Sequence, residues 1–119
     1  MRKEMTMRAL IGGLIGMVLT APALAGAPQW ANPFNQKVMA LSLADRNGAL
    51  RRAITNDDNK CGRLSKSAYR GPYGNLGLWV AHCQPGGDYA IFTGPDETVQ
   101  VRACADMKSL KLPECGKLD

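Results

Sequence analysis

The sequence predicts an α+β fold: a small, disulfide-stapled domain with an N-terminal helix packed on a three-stranded antiparallel meander. Three observations lead there. Residues 36–56 carry apolar side chains at helical spacing, and residues 78–104 fall into three short apolar runs divided by turns rich in Gly and Pro. Four cysteines follow the helical stretch in a chain of 119 residues, which is one domain's length.

Residues 1–25 have the three parts of a secretory signal. Arg2, Lys3 and Arg8 lead, residues 9–22 are uncharged and largely apolar, and Ala23-Leu24-Ala25 sets small residues at the two positions that a cut before Gly26 requires. Pro22 breaks the inserted helix just ahead of that cut. An uncleaved anchor is the alternative, but the apolar stretch is close to the shortest that spans a bilayer. The expected product is a mature chain of about 94 residues in the bacterial periplasm or outside the cell, not membrane-spanning. A chain this short buries only about 60–65% of its unfolded surface, so staples matter to it.

Residues 26–35 hold two prolines and no charge and read as an extended arm, with Trp30 and Phe34 docking on the body. A single α+β domain is expected over 36–119. Val38, Leu41, Leu43, Ala44, Leu50, Ala53 and Ile54 supply its apolar helical face, and Arg46, Arg51 and Arg52 its polar side. Ser42-x-x-Asp45 matches a capping box, and Asn47-Gly48 is a turn signal. Either one helix runs through and is weakened at Gly48, or a short helix precedes a second that starts near Ser42; the main helix is set from about Leu43 to Thr55. Residues 56–77 read as loop, with a turn cluster from Tyr69 to Asn75.

The three strands are Leu78–Cys83, Tyr89–Thr93 and Val99–Cys104, joined by Gln84-Pro85-Gly86-Gly87 and Gly94-Pro95-Asp96-Glu97. Val99, Val101 and Ala103 alternate with Gln100, Arg102 and Cys104, giving the last strand one apolar face. Tyr89 and Ile91 alternate with Ala90 and Phe92, which leaves the middle strand's orientation open. The tail from Ala105 to Asp119 has room for one helical turn before Pro113. In element order this resembles the small helix-plus-antiparallel-sheet modules of bacterial envelopes, such as PepSY-type or lactamase-inhibitor-like repeats; no motif accompanies the likeness.

Cys61, Cys83, Cys104 and Cys115 are even in number, and in an oxidising compartment they read as two disulfides. Three pairings are possible. Cys83 and Cys104 end strands that flank a third, about 9–10 Å apart, whereas a disulfide needs Cα atoms within about 7 Å. That favours Cys61–Cys83 with Cys104–Cys115. There is no C-x-x-C, so neither a thioredoxin-type centre nor a zinc knuckle is supported.

Catalytic material is thin. His82 is the one histidine, no serine sits in a G-x-S-x-G setting, and Glu97 and Glu114 show no paired-carboxylate arrangement. No catalytic residue, cofactor or metal is expected. His82 and Cys83 are adjacent in a strand and point to opposite faces. Asp57-x-Asn59 has Ala68 where a calcium loop needs its acidic twelfth ligand.

Charge is uneven. Residues 46–70 hold Arg46, Arg51, Arg52, Lys60, Arg63, Lys66 and Arg70 against Asp57 and Asp58, whereas residues 71–100 hold only Asp88, Asp96 and Glu97. With no recognition motif or dense basic tract, and in that compartment, nucleic acid is not an expected partner. The richest stretch is Arg63, Lys66, Tyr69, Arg70, Tyr73 and Trp79 among glycines, a composition suited to protein contact. The expected function is a non-catalytic exported module that binds another envelope protein, as an inhibitor, immunity factor or accessory subunit. The runner-up binds a small ligand or an anionic envelope polymer through the basic 46–70 region, and an enzyme comes third.

Overall fold

A computed structural model of the protein describes residues 31–119; the expected signal, and the arm as far as Trp30, lie outside the described residues. Two helices, α1 (Pro33–Ala40) and α2 (Leu43–Asn56), precede four strands: β1 (Leu64–Tyr73), β2 (Leu76–Cys83), β3 (Gly87–Thr93) and β4 (Val99–Ala103). The sheet is antiparallel in the order β1-β2-β3-β4. A 3₁₀ turn, Cys104–Asp106, leads into the tail.

The end of the expected arm is helical. Asn32 caps α1, its side chain accepting the Asn35 N–H at 3.0 Å, and Pro33 stands at the start of the first turn, where its missing N–H costs nothing. Those residues suggested extended chain because proline and asparagine serve helix starts and loops alike. A break at Leu41 then separates α1 from α2, whose N-cap Ser42 accepts the Asp45 N–H at 3.2 Å.

The sheet has four strands, not three, because the middle of the expected loop 56–77 is β1. Gly71 (φ 108°) and Pro72 imitate a turn, but they sit in an edge strand whose pairing with β2 shifts register at Leu64/Lys66 and again at Tyr69/Gly71. The true reversal is Gly74-Asn75, with Gly74 in the left-handed region at φ 62°.

Both faces of the sheet are covered. On one face, Leu50 and Ile54 of α2 and Val38 of α1 pack on Trp79, Ala81, Tyr89, Ile91 and Val101. On the other, the tail folds back, and Met107 and Cys115, with Leu112 and Leu118 beside them, cover Leu78, Val80, Ala90 and Phe92. This explains why β3 shows no alternation: Tyr89 and Ile91 are buried beneath the helices, Ala90 and Phe92 beneath the tail. The disulfides are Cys61–Cys83, Cα atoms 4.9 Å apart, and Cys104–Cys115, 5.8 Å apart. The first joins the end of β2 to the segment after α2, and the second anchors the tail. No helix among the described residues is long and apolar enough to cross a membrane.

Candidate interaction surface

The six residues expected to form a contact surface divide between core and exterior. Trp79 is 2% exposed and belongs to the core. Its indole N–H donates to Asn35 Oδ1 at 2.7 Å, the Tyr69 ring lies 4.8 Å from its own, and the Arg46 guanidinium stands 5.4 Å above it. Tyr69 is half-buried, and its hydroxyl accepts from Asn35 Nδ2 at 3.3 Å. Neither ring is available as an exposed anchor. In the register, Tyr69 and Trp79 are cross-strand partners on the helix side; with 56–77 expected as loop, Tyr69 had no face assigned.

Arg70 has an exposed position but a structural task. Its Nε donates to the Cys115 carbonyl at 2.9 Å, and Nη2 donates to the Lys117 carbonyl, fastening the tail across the sheet. Arg46 donates to the carbonyls of Val38, Met39 and Leu41, closing the C-terminal end of α1. Arg51 donates to the Cys61 carbonyl at 3.0 Å. Three of the seven cations in the basic stretch are therefore occupied by backbone oxygens. The side chains of Arg52, Lys60, Arg63 and Lys66 make no hydrogen bond or ion pair among the described residues.

Tyr73 remains as an aromatic on the exterior, 40% exposed, with its ring meeting Phe92 edge-on at 5.7 Å. Beside it the tail leaves a recess of about 140 Å³, lined by Tyr73, Leu76, Phe92, Leu112, Gln100 and Arg102. An apolar floor with a tyrosine and a guanidinium at the rim suits the insertion of a single apolar side chain. Of the residues that line this recess, Tyr73 alone was among the six expected at a contact surface. Leu112 reaches the recess only because the tail folds back, and no local signal reports that.

His82 is held from the neighbouring strand. The β2–β3 register sets Asp88 opposite it, and Asp88 Oδ1 lies 2.5 Å from His82 Nδ1. Asp88 is the hydrogen-bond partner of the His82 ring among the described residues, and all four cysteines are in disulfides. No group of three or more potential metal ligands occurs among the described residues. Asp96, in the β3–β4 turn, titrates below the ordinary carboxylate range because the Thr98 hydroxyl donates to it at 2.6 Å, and the Thr98 backbone N–H does so at 3.2 Å.

The chain matches no family model, no curated protein and no solved structure. The fold defines a class by architecture only: a small α+β domain with two disulfides.

Proposed function

We propose that the protein is an exported, non-catalytic module that binds another envelope protein, as an inhibitor, immunity factor or accessory subunit. The supporting observation is the recess at Tyr73: a half-exposed aromatic ring beside an apolar floor of Leu76, Phe92 and Leu112, with Arg102 at its edge. The Cys104–Cys115 disulfide and the Arg70 clamp fix the tail that forms one wall, so little ordering entropy opposes binding there.

The test is capture from native envelope extract with the protein and its Tyr73→Ala variant, at low and at high salt. The expected result is a stoichiometric protein partner that survives high salt and is lost on Tyr73→Ala, while the variant's melting curve stays close to the parent's. Capture that ignores Tyr73→Ala would remove the recess from the reading. A second reading rests on the unengaged Arg52, Lys60, Arg63 and Lys66: binding of a small ligand or anionic envelope polymer. Affinity for polyanions that falls steeply with salt, with no protein captured, would favour it.

A further inference from the structure

The two edges of the sheet are built differently. β1 carries two register shifts, Pro72 and the exposed Lys66, and Arg70 ties it to the tail; such features discourage pairing with another strand. β4 has none of these. Its five residues pair with β3 without a register shift, and they include no proline and no lysine. A cleft of about 360 Å³ lies beside it on the helix face, between Val99 and Ala49, Arg52, Ala53, Asn56 and Asp57 of α2 and its cap. The Tyr73 recess reaches Gln100 and Arg102 on the other face.

The phase of the ladder settles which backbone groups point outward. Gly94 N–H donates to the Thr98 carbonyl at 2.8 Å, and bonded pairs alternate in an antiparallel ladder, so Gln100 and Arg102 bond to β3. The N–H and C=O groups of Val99, Val101 and Ala103 therefore face away from the sheet. The Val101 carbonyl accepts from Arg102 Nη1 at 2.9 Å, as an outward-facing oxygen can. That guanidinium and the helical layer above leave Val101 only 4% exposed.

We propose that a second copy of this chain adds its own β4 to this edge, antiparallel about a two-fold axis at Val101. This register sets Val101 against Val101, Val99 against the partner's Ala103, and Gln100 against the partner's Arg102. On the helix face only apolar side chains meet, and the small Ala103 of the second copy falls beside the cleft at Val99. On the tail face a guanidinium meets an amide, and no like charges are opposed along the strand. Arg102 leaves its own Val101 carbonyl for the partner's Gln100, and the partner's Val101 N–H takes its place. The contact is self-complementary, as a two-fold interface must be. Five residues a side make a small interface, so the association belongs to the weak, transient class.

The dimer contact shares Gln100 and Arg102 with the Tyr73 recess but does not rest on the binding reading, and its test involves no other protein. Sedimentation equilibrium of the purified protein from about 10 μM to about 1 mM should show a reversible monomer–dimer equilibrium. Gln100 is exposed, and Gln100→Lys should weaken that equilibrium about tenfold by opposing two like charges twice per dimer. Adding Arg102→Glu to it should restore the dimer. Under mild oxidation, a mixture of the Gln100→Cys and Arg102→Cys variants should cross-link more than either variant alone, because directly opposed positions meet disulfide geometry and diagonal ones exceed it. A monomer throughout, or a dimer indifferent to Gln100→Lys, or equal cross-linking in all three samples, would each overturn it.

Discussion

Replacing Asn35 with alanine should cost about 3 kcal/mol of stability, because one buried amide joins α1 to three strands. Asn35 is fully buried. Its carbonyl accepts from Trp79 Nε1 at 2.7 Å and from Thr93 Oγ1 at 2.9 Å, and its amide nitrogen donates to the Tyr69 hydroxyl at 3.3 Å. Thr93 keeps a second acceptor, the Gly77 carbonyl at 3.3 Å. The Trp79 N–H has no other acceptor among the described residues, and stranding a buried donor costs about 1–3 kcal/mol. Loss of the Thr93 and Tyr69 bonds adds about 1 kcal/mol net, and the space vacated by the amide contributes the remainder. In a domain of this size about 3 kcal/mol corresponds to a fall in Tm of about 12–24 °C. Urea unfolding of the oxidised protein, followed by circular dichroism, measures the loss. A cycle with Trp79→Phe isolates the indole bond: once the N–H is absent, Asn35→Ala should cost about 1–2 kcal/mol less. A loss below about 1 kcal/mol, or strict additivity in the cycle, would refute the assignment of Asn35 as the joint.

Gly77→Ala should destabilise comparably by the same route, since a Cβ there overlaps the Asn35 amide; a melting curve like the parent's would mean that the helix shifts freely. Removing the second disulfide with Cys104→Ala and Cys115→Ala together should cost about 3 kcal/mol from its loop alone and increase binding of a hydrophobic dye at the tail-side core. Unaltered urea midpoint and dye binding would count against the tail as a structural layer. Asp96 should show an NMR titration midpoint below the usual aspartate value of about 3.9. Its stabilising contribution is therefore complete above the unfolded-state pKa and lost as pH falls through the folded one, and Thr98→Val should raise the midpoint; an unmoved midpoint would exclude the Thr98 hydroxyl as the cause.

Much of this architecture is written locally. Ser42 and Asp45 mark the start of α2, the Gly- and Pro-bearing turns separate β2, β3 and β4, and the spacing of those strands excludes a Cys83–Cys104 bond, one of the three connectivities, and so favours the pairing observed. The parts that escaped depend on distant chain. β1 is an edge strand with broken register, so its periodicity is scrambled and its Gly71-Pro72 resembles a turn. Trp79 and Tyr69 look like surface anchors among arginines and glycines, and only the pairing of β1 with β2 and the arrival of Asn35 make them interior. The basic stretch looks like one electrostatic face, yet Arg46, Arg51 and Arg70 each reach backbone carbonyls between 5 and 47 positions away. The Tyr73 recess has Leu112 on one wall, and no pattern within a strand could anticipate that.

The Arg70 clamp has a consequence for the order in which the molecule can close. A chain delivered N-terminus first presents α1, α2 and the early strands while the residues that complete both layers are still to come. Val101 is missing from the helix-side layer, and Met107, Cys115 and Leu118 are missing from the other. Arg70, in the first strand, waits for the carbonyls of Cys115 and Lys117. Cys61 can meet Cys83 early, but Cys104 and Cys115 follow all four strands. Neither layer is therefore complete until residues 101–118 are in place, although the Asn35 joint and the Cys61–Cys83 disulfide can form before them.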